Sequence, residues 1–171
     1  LDTSYSGDEG VREIIDKVND QGIMAEFRSM EEKKIVKKFM GEVFSGKGLG
    51  VYGLHEVVNY LKAGIAESIM ATDNIDLIYI EVNCNKCGNT VEKFVERNQL
   101  IETKQVIIST PCVKCSSLDY QIKEKDFIDY LEEFASLSGT KLDIISSKTE
   151  EGAQIESLGK IGALLRFKPM S

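Results

Sequence analysis

The chain has 171 residues, of which 42% are hydrophobic and 29% charged. This is typical of one domain, or one domain with an insert, that buries its own core, and it excludes a disordered peptide. No apolar run approaches the roughly 18 residues needed to span a bilayer. The net charge of -7 disfavours binding to DNA or to an anionic membrane, because both surfaces are themselves negative. We therefore expect neither a membrane nor DNA as a partner.

The chain is expected to be cytoplasmic and to belong to a longer protein. Residues 1–5 contain no initiating Met, no basic segment and no apolar segment, so they match neither a signal peptide nor a transit peptide. Four cysteines without a secretory signal indicate a reducing compartment. There, paired cysteines are more often metal ligands or redox groups than structural disulfides.

In the first part of the chain, the spacing of apolar residues predicts two helices, at about residues 9–21 and 24–44, with a break at Gly22. We expect a short strand at 49–52, a helix at 54–62 and a buried strand at 66–71 to follow. From about residue 76 the pattern changes to β, with candidate strands at 77–82, 90–95, 106–108 and 118–122. We interpret residues 77–123 as an inserted all-β minidomain.

After the insert, helices and strands alternate again. A helix is predicted at 127–137, a strand at 141–146, a helix at 149–158 and a strand at 161–167. Outside the insert this alternation predicts an α/β protein, a three-layer α/β/α sandwich in which helices cover both faces of a central sheet.

Two Cys-x-x-Cys turns are the strongest chemical signal. Cys84 and Cys87 form the first turn, and Cys112 and Cys115 form the second. Each turn offers two sulfur atoms on one side of a tight loop, and two such turns at hairpin ends complete the four-sulfur set that Zn²⁺ prefers. We predict a structural zinc ion on these cysteines and a zinc-ribbon-like minidomain around it.

Other interpretations of the cysteines stay open. An iron–sulfur centre also uses four cysteines. A thioredoxin-type redox pair would need Cys-x-x-Cys at the start of a helix, whereas strand-like sequence flanks both turns. Catalytic zinc would need an open coordination position, which four thiolates do not leave.

The remaining signals for catalysis are weak. Residues 48–53 match Gly-x-Gly-x-x-Gly, the dinucleotide fingerprint, but a helical pattern precedes them where the fingerprint needs a strand. His55, the only histidine, is expected in an exposed first turn of a helix. No catalytic triad or carboxylate pair stands out. We expect no catalytic residue and therefore no enzyme.

The last predicted strand has two interpretations. It is either a core strand that ends in a solvated arginine or a docking patch, because arginine and aromatic residues are favoured at interfaces. Its candidate partner-binding residues are Gly162, Ala163, Leu164, Leu165, Arg166 and Phe167.

Several blocks together resemble the C-terminal part of archaeal class-1 peptide chain release factors, which are homologous to the eukaryotic factor. The blocks are residues 1–5, 7–10, 30–36, 52–58, 149–154 and 159–167, and the last two are the most specific. The resemblance implies that residues 1–22 are the end of a middle domain and a connecting helix. It also implies that residues 23–76 and 124–171 form the sandwich shared with kink-turn-binding ribosomal proteins, and that 77–123 is the family's minidomain.

The resemblance further implies a binding role in translation termination. In that family, other domains read the stop codon and carry the hydrolytic Gly-Gly-Gln loop, which does not occur here. The C-terminal domain docks a translational GTPase, elongation factor 1α in archaea, and contacts the recycling ATPase and the ribosome. The family's Gly-Ile-Leu-Arg-Tyr docking stretch falls on residues 163–167, where Ala163 and Phe167 depart from it.

Three alternatives accompany this prediction. The ribosome rescue factor Pelota shares this domain and its GTPase partner. An RNA-binding domain is the second, because the core resembles kink-turn binders. It would use a basic face of Lys33, Lys34, Lys37 and Lys38, although the acidic net charge counts against it. The third, a redox enzyme, would use the cysteine pairs.

Overall fold

The computed structural model describes the backbone of residues 8–169 and the side chains of residues 21–169, so the predictions for residues 1–7 lie outside the described residues. The elements in chain order are α1 (Asp8–Ser45), β1 (Gly50–Tyr52), α2 (Leu54–Lys62), β2 (Ala66–Thr72), β3 (Leu77–Cys84), β4 (Thr90–Glu96), a 3₁₀ turn (Arg97–Gln99), α3 (Leu100–Ile108), β5 (Tyr120–Asp126), α4 (Phe127–Ser138), β6 (Lys141–Ile145), α5 (Glu150–Ser157) and β7 (Ile161–Leu165).

The N-terminal region forms one continuous helix, α1, so the predicted break at Gly22 is wrong. A lone glycine inside a helix costs only about 1 kcal/mol relative to alanine. Good helix formers surround this one, including Gln21, Met24 and Ala25, and no proline interrupts the segment.

The main sheet has the order β1-β7-β2-β6, in which β2 is parallel to β6 and antiparallel to β7. Side chains of β2 alternate between two buried clusters. Ile69 and Ala71 pack with residues of α2 and α4 on one face, and Met70 packs with residues of α1 and α5 on the other. The α/β class is therefore confirmed, and helices lie on both faces of this sheet.

A second sheet, with the order β4-β3-β5, is antiparallel throughout. One face packs on α4, where the rings of Tyr79 and Tyr130 stack with centroids 4.5 Å apart. The other face holds a small buried cluster in which Ile80 and Val82 pack against Ile107 of α3. The sheet continues through β5 to Asp126, three residues past the predicted end of the insert at residue 123.

The prediction that the insert is all-β is wrong, because α3 occupies residues expected to include a strand at 106–108. The run of β-branched residues suggested a strand. However, Ile107 is buried against the sheet, while its neighbours Val106 and Ile108 are exposed. Leu100 packs on the same cluster as Ile107. The two residues are seven positions apart, and side chains at this separation lie on the same face of a helix. Contact with the sheet therefore outweighs the local β preference.

Within the described residues, none of the helices is both long enough and apolar enough to cross a membrane.

Candidate metal centre

The four predicted ligands lie together at one end of the second sheet. Their sulfur atoms are all within 4.8 Å of one another. The Sγ atom of Cys84 is 3.5 Å from Sγ of Cys115, and Sγ of Cys87 is 3.6 Å from Sγ of Cys112. The short distances join the two turns, so each turn contributes half of one four-sulfur cluster.

Strand pairing brings the two turns together. Cys84 is the last residue of β3 and lies opposite Tyr120, the first residue of β5. The side chain of Asn85 in the first turn donates to Oδ1 of Asp119 at 2.9 Å, just before β5 begins. The ring hydroxyl of Tyr120 donates to the carbonyl of Thr110 at 2.6 Å, which fixes the segment that leads into the second turn.

Both turns have the same backbone hydrogen bond. The N–H of Gly88 donates to the carbonyl of Cys84 at 2.9 Å, and the N–H of Ser116 donates to the carbonyl of Cys112 at 2.8 Å. The residue after each Cys-x-x-Cys has a positive φ, +76° at Gly88 and +62° at Ser116. Sequence reasoning missed Ser116, although its place in the second turn is that of Gly88 in the first.

Backbone amides stabilise negative charge on the sulfur atoms. The N–H groups of Lys114 and Cys115 lower the pKa of Cys112 to about 6, and N–H groups of the first turn lower the pKa of Cys84. The N–H of Ser117 also acts to lower the pKa of Cys115, but burial and the neighbouring sulfur atoms raise that pKa to about 12. Adjacent thiolates repel one another, and a bound cation removes that repulsion.

The residues present fit a single tetrahedral metal ion. A metal–sulfur bond of about 2.3 Å in a tetrahedron requires sulfur atoms about 3.8 Å apart, close to the 3.5 Å and 3.6 Å that separate the two pairs of sulfur atoms across the turns. An iron–sulfur cluster distributes its thiolates over more than one iron and needs a wider set of sulfur atoms. In addition, Cys84 ends a strand and Cys112 follows α3 through a loop, so neither pair opens a helix as a thioredoxin-type site would.

The predicted docking stretch has a buried part and an exposed part. Gly162, Ala163, Leu164 and Leu165 are buried in β7, which lies between β1 and β2 in the main sheet. Arg166 and Phe167 follow the strand and are exposed. Only these last two side chains of the stretch are open to a partner.

The glycine-rich segment has a structural explanation. Helix α1 precedes it, not the strand that a dinucleotide site requires, and β1 begins inside it at Gly50. A Cβ atom on Gly50 would lie 2.7 Å from the backbone nitrogen of Val43, so the glycine allows β1 to lie close to α1. His55 lies in the exposed first turn of α2, as predicted.

This fold and site define a mixed α/β domain with a potential four-cysteine metal centre on a second, smaller sheet. The chain belongs to the family described as eRF1 domain 3, which matches residues 29–169. The resemblance to release factors is thereby confirmed.

Curated relatives extend over nearly the whole chain. It is 32% identical to peptide chain release factor subunit 1 of Methanococcus maripaludis over 170 residues and 33% identical to that of Pyrococcus abyssi over 169 residues. In each case the match covers 98% of this chain and 40% of the relative. The chain therefore spans about two fifths of the length of these relatives.

Solved structures share the fold. The C-terminal domain of a peptide chain release factor from Methanosarcina mazei superposes with a TM-score of 0.78 at 20% identity, covering 96% of this chain and 98% of that one. Pelota from Archaeoglobus fulgidus gives a TM-score of 0.55 at 24% identity, covering 94% of this chain and 37% of Pelota.

Proposed function

We propose that this chain is the C-terminal, partner-binding part of a cytoplasmic translation termination factor. It docks a translational GTPase, elongation factor 1α in archaea, and it contacts the recycling ATPase and the ribosome. The relatives named peptide chain release factor subunit 1 support termination over the rescue role of Pelota.

The observation that carries the GTPase assignment is the position of Arg166 and Phe167. Strand β7 is held on both sides by neighbouring strands, so the two residues extend from a rigid support. Phe167 is 58% exposed, although burying a phenylalanine side chain is worth about 2 kcal/mol. A rigidly held arginine beside an exposed aromatic ring has the composition of an interface hot spot.

The proposed metal is one structural Zn²⁺ held by the four cysteines. Zinc bound by four thiolates has no free position for a substrate, so its contribution is to stability and not to chemistry. Among the residues with described side chains, the cluster between the second sheet and α3 has four buried members, Ile78, Ile80, Val82 and Ile107, with partly buried residues packed against them. Because this core is small, metal binding would supply much of the folding free energy of the region. We therefore propose a binding module without catalytic activity.

The ribosome and ATPase partners are proposed from structural similarity. The structure described as a model of ribosome-bound archaeal Pelota and ABCE1 superposes with a TM-score of 0.56 at 19% identity, covering 96% of this chain. Because this fold is shared, we include the ribosome and the ATPase among the partners proposed for this chain.

Calorimetric titration against archaeal elongation factor 1α in its GTP form tests the proposal, with bound metal quantified first. We expect saturable one-to-one binding that Arg166→Glu weakens at least about tenfold, because an exposed cation at an interface centre is replaced by an anion. Absence of binding by the folded, metal-loaded chain would contradict a docking function of this part. Unchanged affinity of a folded Arg166→Glu protein would contradict the assigned surface alone.

RNA binding is a second candidate function, supported by one specific observation. Lys33, Lys34, Lys37 and Lys38 are all exposed on α1, on the side away from the buried Val36 and Phe39. Clustered lysines attract phosphate backbones in a salt-dependent way. A salt-dependent gel shift with kink-turn RNA, lost when the four lysines are changed to glutamine, would favour this function over GTPase docking.

A further inference from the structure

We propose that the open edge of β4 binds an extended segment of a partner protein, rich in aliphatic and acidic residues, as an added strand. This surface lies on the second sheet and does not involve Arg166 or Phe167. β4 is the terminal strand in the order β4-β3-β5, so within residues 8–169 no strand lies beside one side of its backbone. Open edges of this kind are used for peptide recognition by strand addition.

The pairing with β3 identifies the free backbone groups. The N–H of Cys84 donates to the carbonyl of Asn89 at 2.8 Å, and the N–H of Arg97 donates to the carbonyl of Asp76 at 3.2 Å. Both bonds lie in the register of β3 with β4. Hydrogen-bonded pairs alternate along an antiparallel ladder, so every second residue of β4 directs its N–H and C=O away from β3. These residues are Thr90, Glu92, Phe94 and Glu96.

Two clefts flank this edge. The first, about 320 Å³, lies between the sheet and α3 and is lined by Val91, Lys93 and Val106, among others. The second, about 440 Å³, is lined by α2 residues and by four consecutive residues of β4, 92–95. Consecutive residues of a strand point to opposite faces, so a cavity that touches four of them lies along the strand's edge. An added strand therefore has space on both sides.

The first cleft is suited to aliphatic side chains. Val91 is 41% exposed, Val106 59% and Val113 89%, and all three line this cleft. Exposed apolar residues scattered over a surface need no explanation, but several that line one cleft indicate a binding surface. A partner side chain placed there would remove apolar area from water on both proteins.

Lys93 of β4 favours an acidic residue in the partner segment. Lys93 lines both clefts, and among the described residues no carboxylate forms an ion pair with it, whereas Lys62 across the second cleft is paired with Glu92. A lysine in the middle of an edge strand disfavours pairing of that strand with the same strand of a second copy. It favours pairing with a strand that places a carboxylate opposite it.

Amide hydrogen exchange of the free, metal-loaded chain tests the edge directly. We expect the amides of Glu92 and Phe94 to exchange at least about tenfold faster than those of Lys93 and Val95, because only the latter are paired with β3. Equal protection of the two sets would overturn the proposal, since it would mean that the edge is covered or the register differs.

Selection from a displayed library of short random peptides tests binding. We expect the selected peptides to alternate aliphatic and acidic residues, to slow exchange of the Glu92 and Phe94 amides, and to lose affinity when alternate peptide nitrogens are methylated. Lys93→Glu should weaken binding at least about tenfold, the effect of removing a good charge pair. The matched control Lys123→Glu, an exposed lysine on β5, should leave binding unchanged.

Three further outcomes would overturn the proposal. The first is that no peptide is enriched. The second is that the selected peptides bind the Lys93→Glu protein equally well or protect amides outside β4. The third is a dimer in sedimentation that Lys93→Glu alters, which would assign the edge to a second copy of this chain.

Discussion

Nη2 of Arg166 donates a hydrogen bond to the carbonyl oxygen of Ser138 at 2.9 Å, at the C-terminal end of α4. The last carbonyls of a helix lack intrahelical partners and carry partial negative charge, so a cation there is favourable. Arg166 therefore links the end of β7 to α4, in addition to its proposed contact with a partner. Any test of docking through Arg166 must separate these two roles.

Replacing Arg166 with alanine is expected to lower the free energy of unfolding by about 1 kcal/mol, the net value of a hydrogen bond to a charged group at a helix end. Arg166→Lys, which keeps the positive charge, should recover part of the loss. Urea denaturation of the three proteins measures this. Equal stability of Arg166→Ala and the original chain would show that the bond to Ser138 contributes nothing.

Gly162 is required by packing against α1. A Cβ atom on this residue would lie 2.3 Å from Cζ of Phe39, whose buried ring covers β7. Gly162→Ala should therefore destabilise the chain by about 1–3 kcal/mol through overpacking. The matched control is Gly41→Ala in α1, where a Cβ meets no atom within 4 Å. It should stabilise the chain by up to about 1 kcal/mol through helix propensity. A stable Gly162→Ala protein would contradict this account of the strand.

Removing the metal is expected to loosen the second sheet before the main sheet. The cluster under the second sheet is small, whereas both faces of the main sheet are covered by larger clusters. After treatment with a chelator, or in a Cys84→Ser protein, amides of β3 and β5 should lose protection while those of β2 and β7 keep theirs. Adding Zn²⁺ back should restore protection after chelation. Protection that is unchanged by complete metal removal would contradict a structural role.

Ser116 holds a left-handed backbone conformation that glycine adopts without strain, with φ at +62°. Ser116→Gly is expected to stabilise the metal-loaded protein by about 0.5–1 kcal/mol, despite the greater freedom of glycine in the unfolded chain. Gly88→Ala at the equivalent position of the first turn should have the opposite effect. Thermal unfolding of both variants at equal metal content checks the pair, and a destabilised Ser116→Gly protein would refute the equivalence of the two turns.

The sequence pattern was sufficient for much of the fold and for the cluster of four cysteines. Apolar stripes located α2, α4 and the buried strand β2, because each buries one face against a sheet. The spacing of the cysteines predicted which four sulfur atoms lie together, because a Cys-x-x-Cys turn places its two sulfur atoms by local geometry alone. Local pattern failed at α3, where Ile107 is buried by contact with a sheet whose strands are distant in sequence.

The docking stretch shows a second limit. An apolar run such as residues 161–165 is equally typical of a core strand and of an exposed interface. Only the strand order, with β7 between β1 and β2, shows that Leu165 is buried and Phe167 exposed. The open edge of β4 also follows only from the strand order. In the sequence alone, Lys93 is an ordinary surface residue.

The most direct test of the proposed docking function compares two truncations of exposed apolar side chains. Phe167 is 58% exposed and follows β7, and Ile101 is 75% exposed and lies on α3. Both variants should fold normally, because neither side chain is in the core. In titrations against elongation factor 1α in its GTP form, we predict that Phe167→Ala weakens binding at least about tenfold, as expected for an aromatic hot spot, while Ile101→Ala has no effect. Equal affinities of the two variants and the original chain would contradict the account.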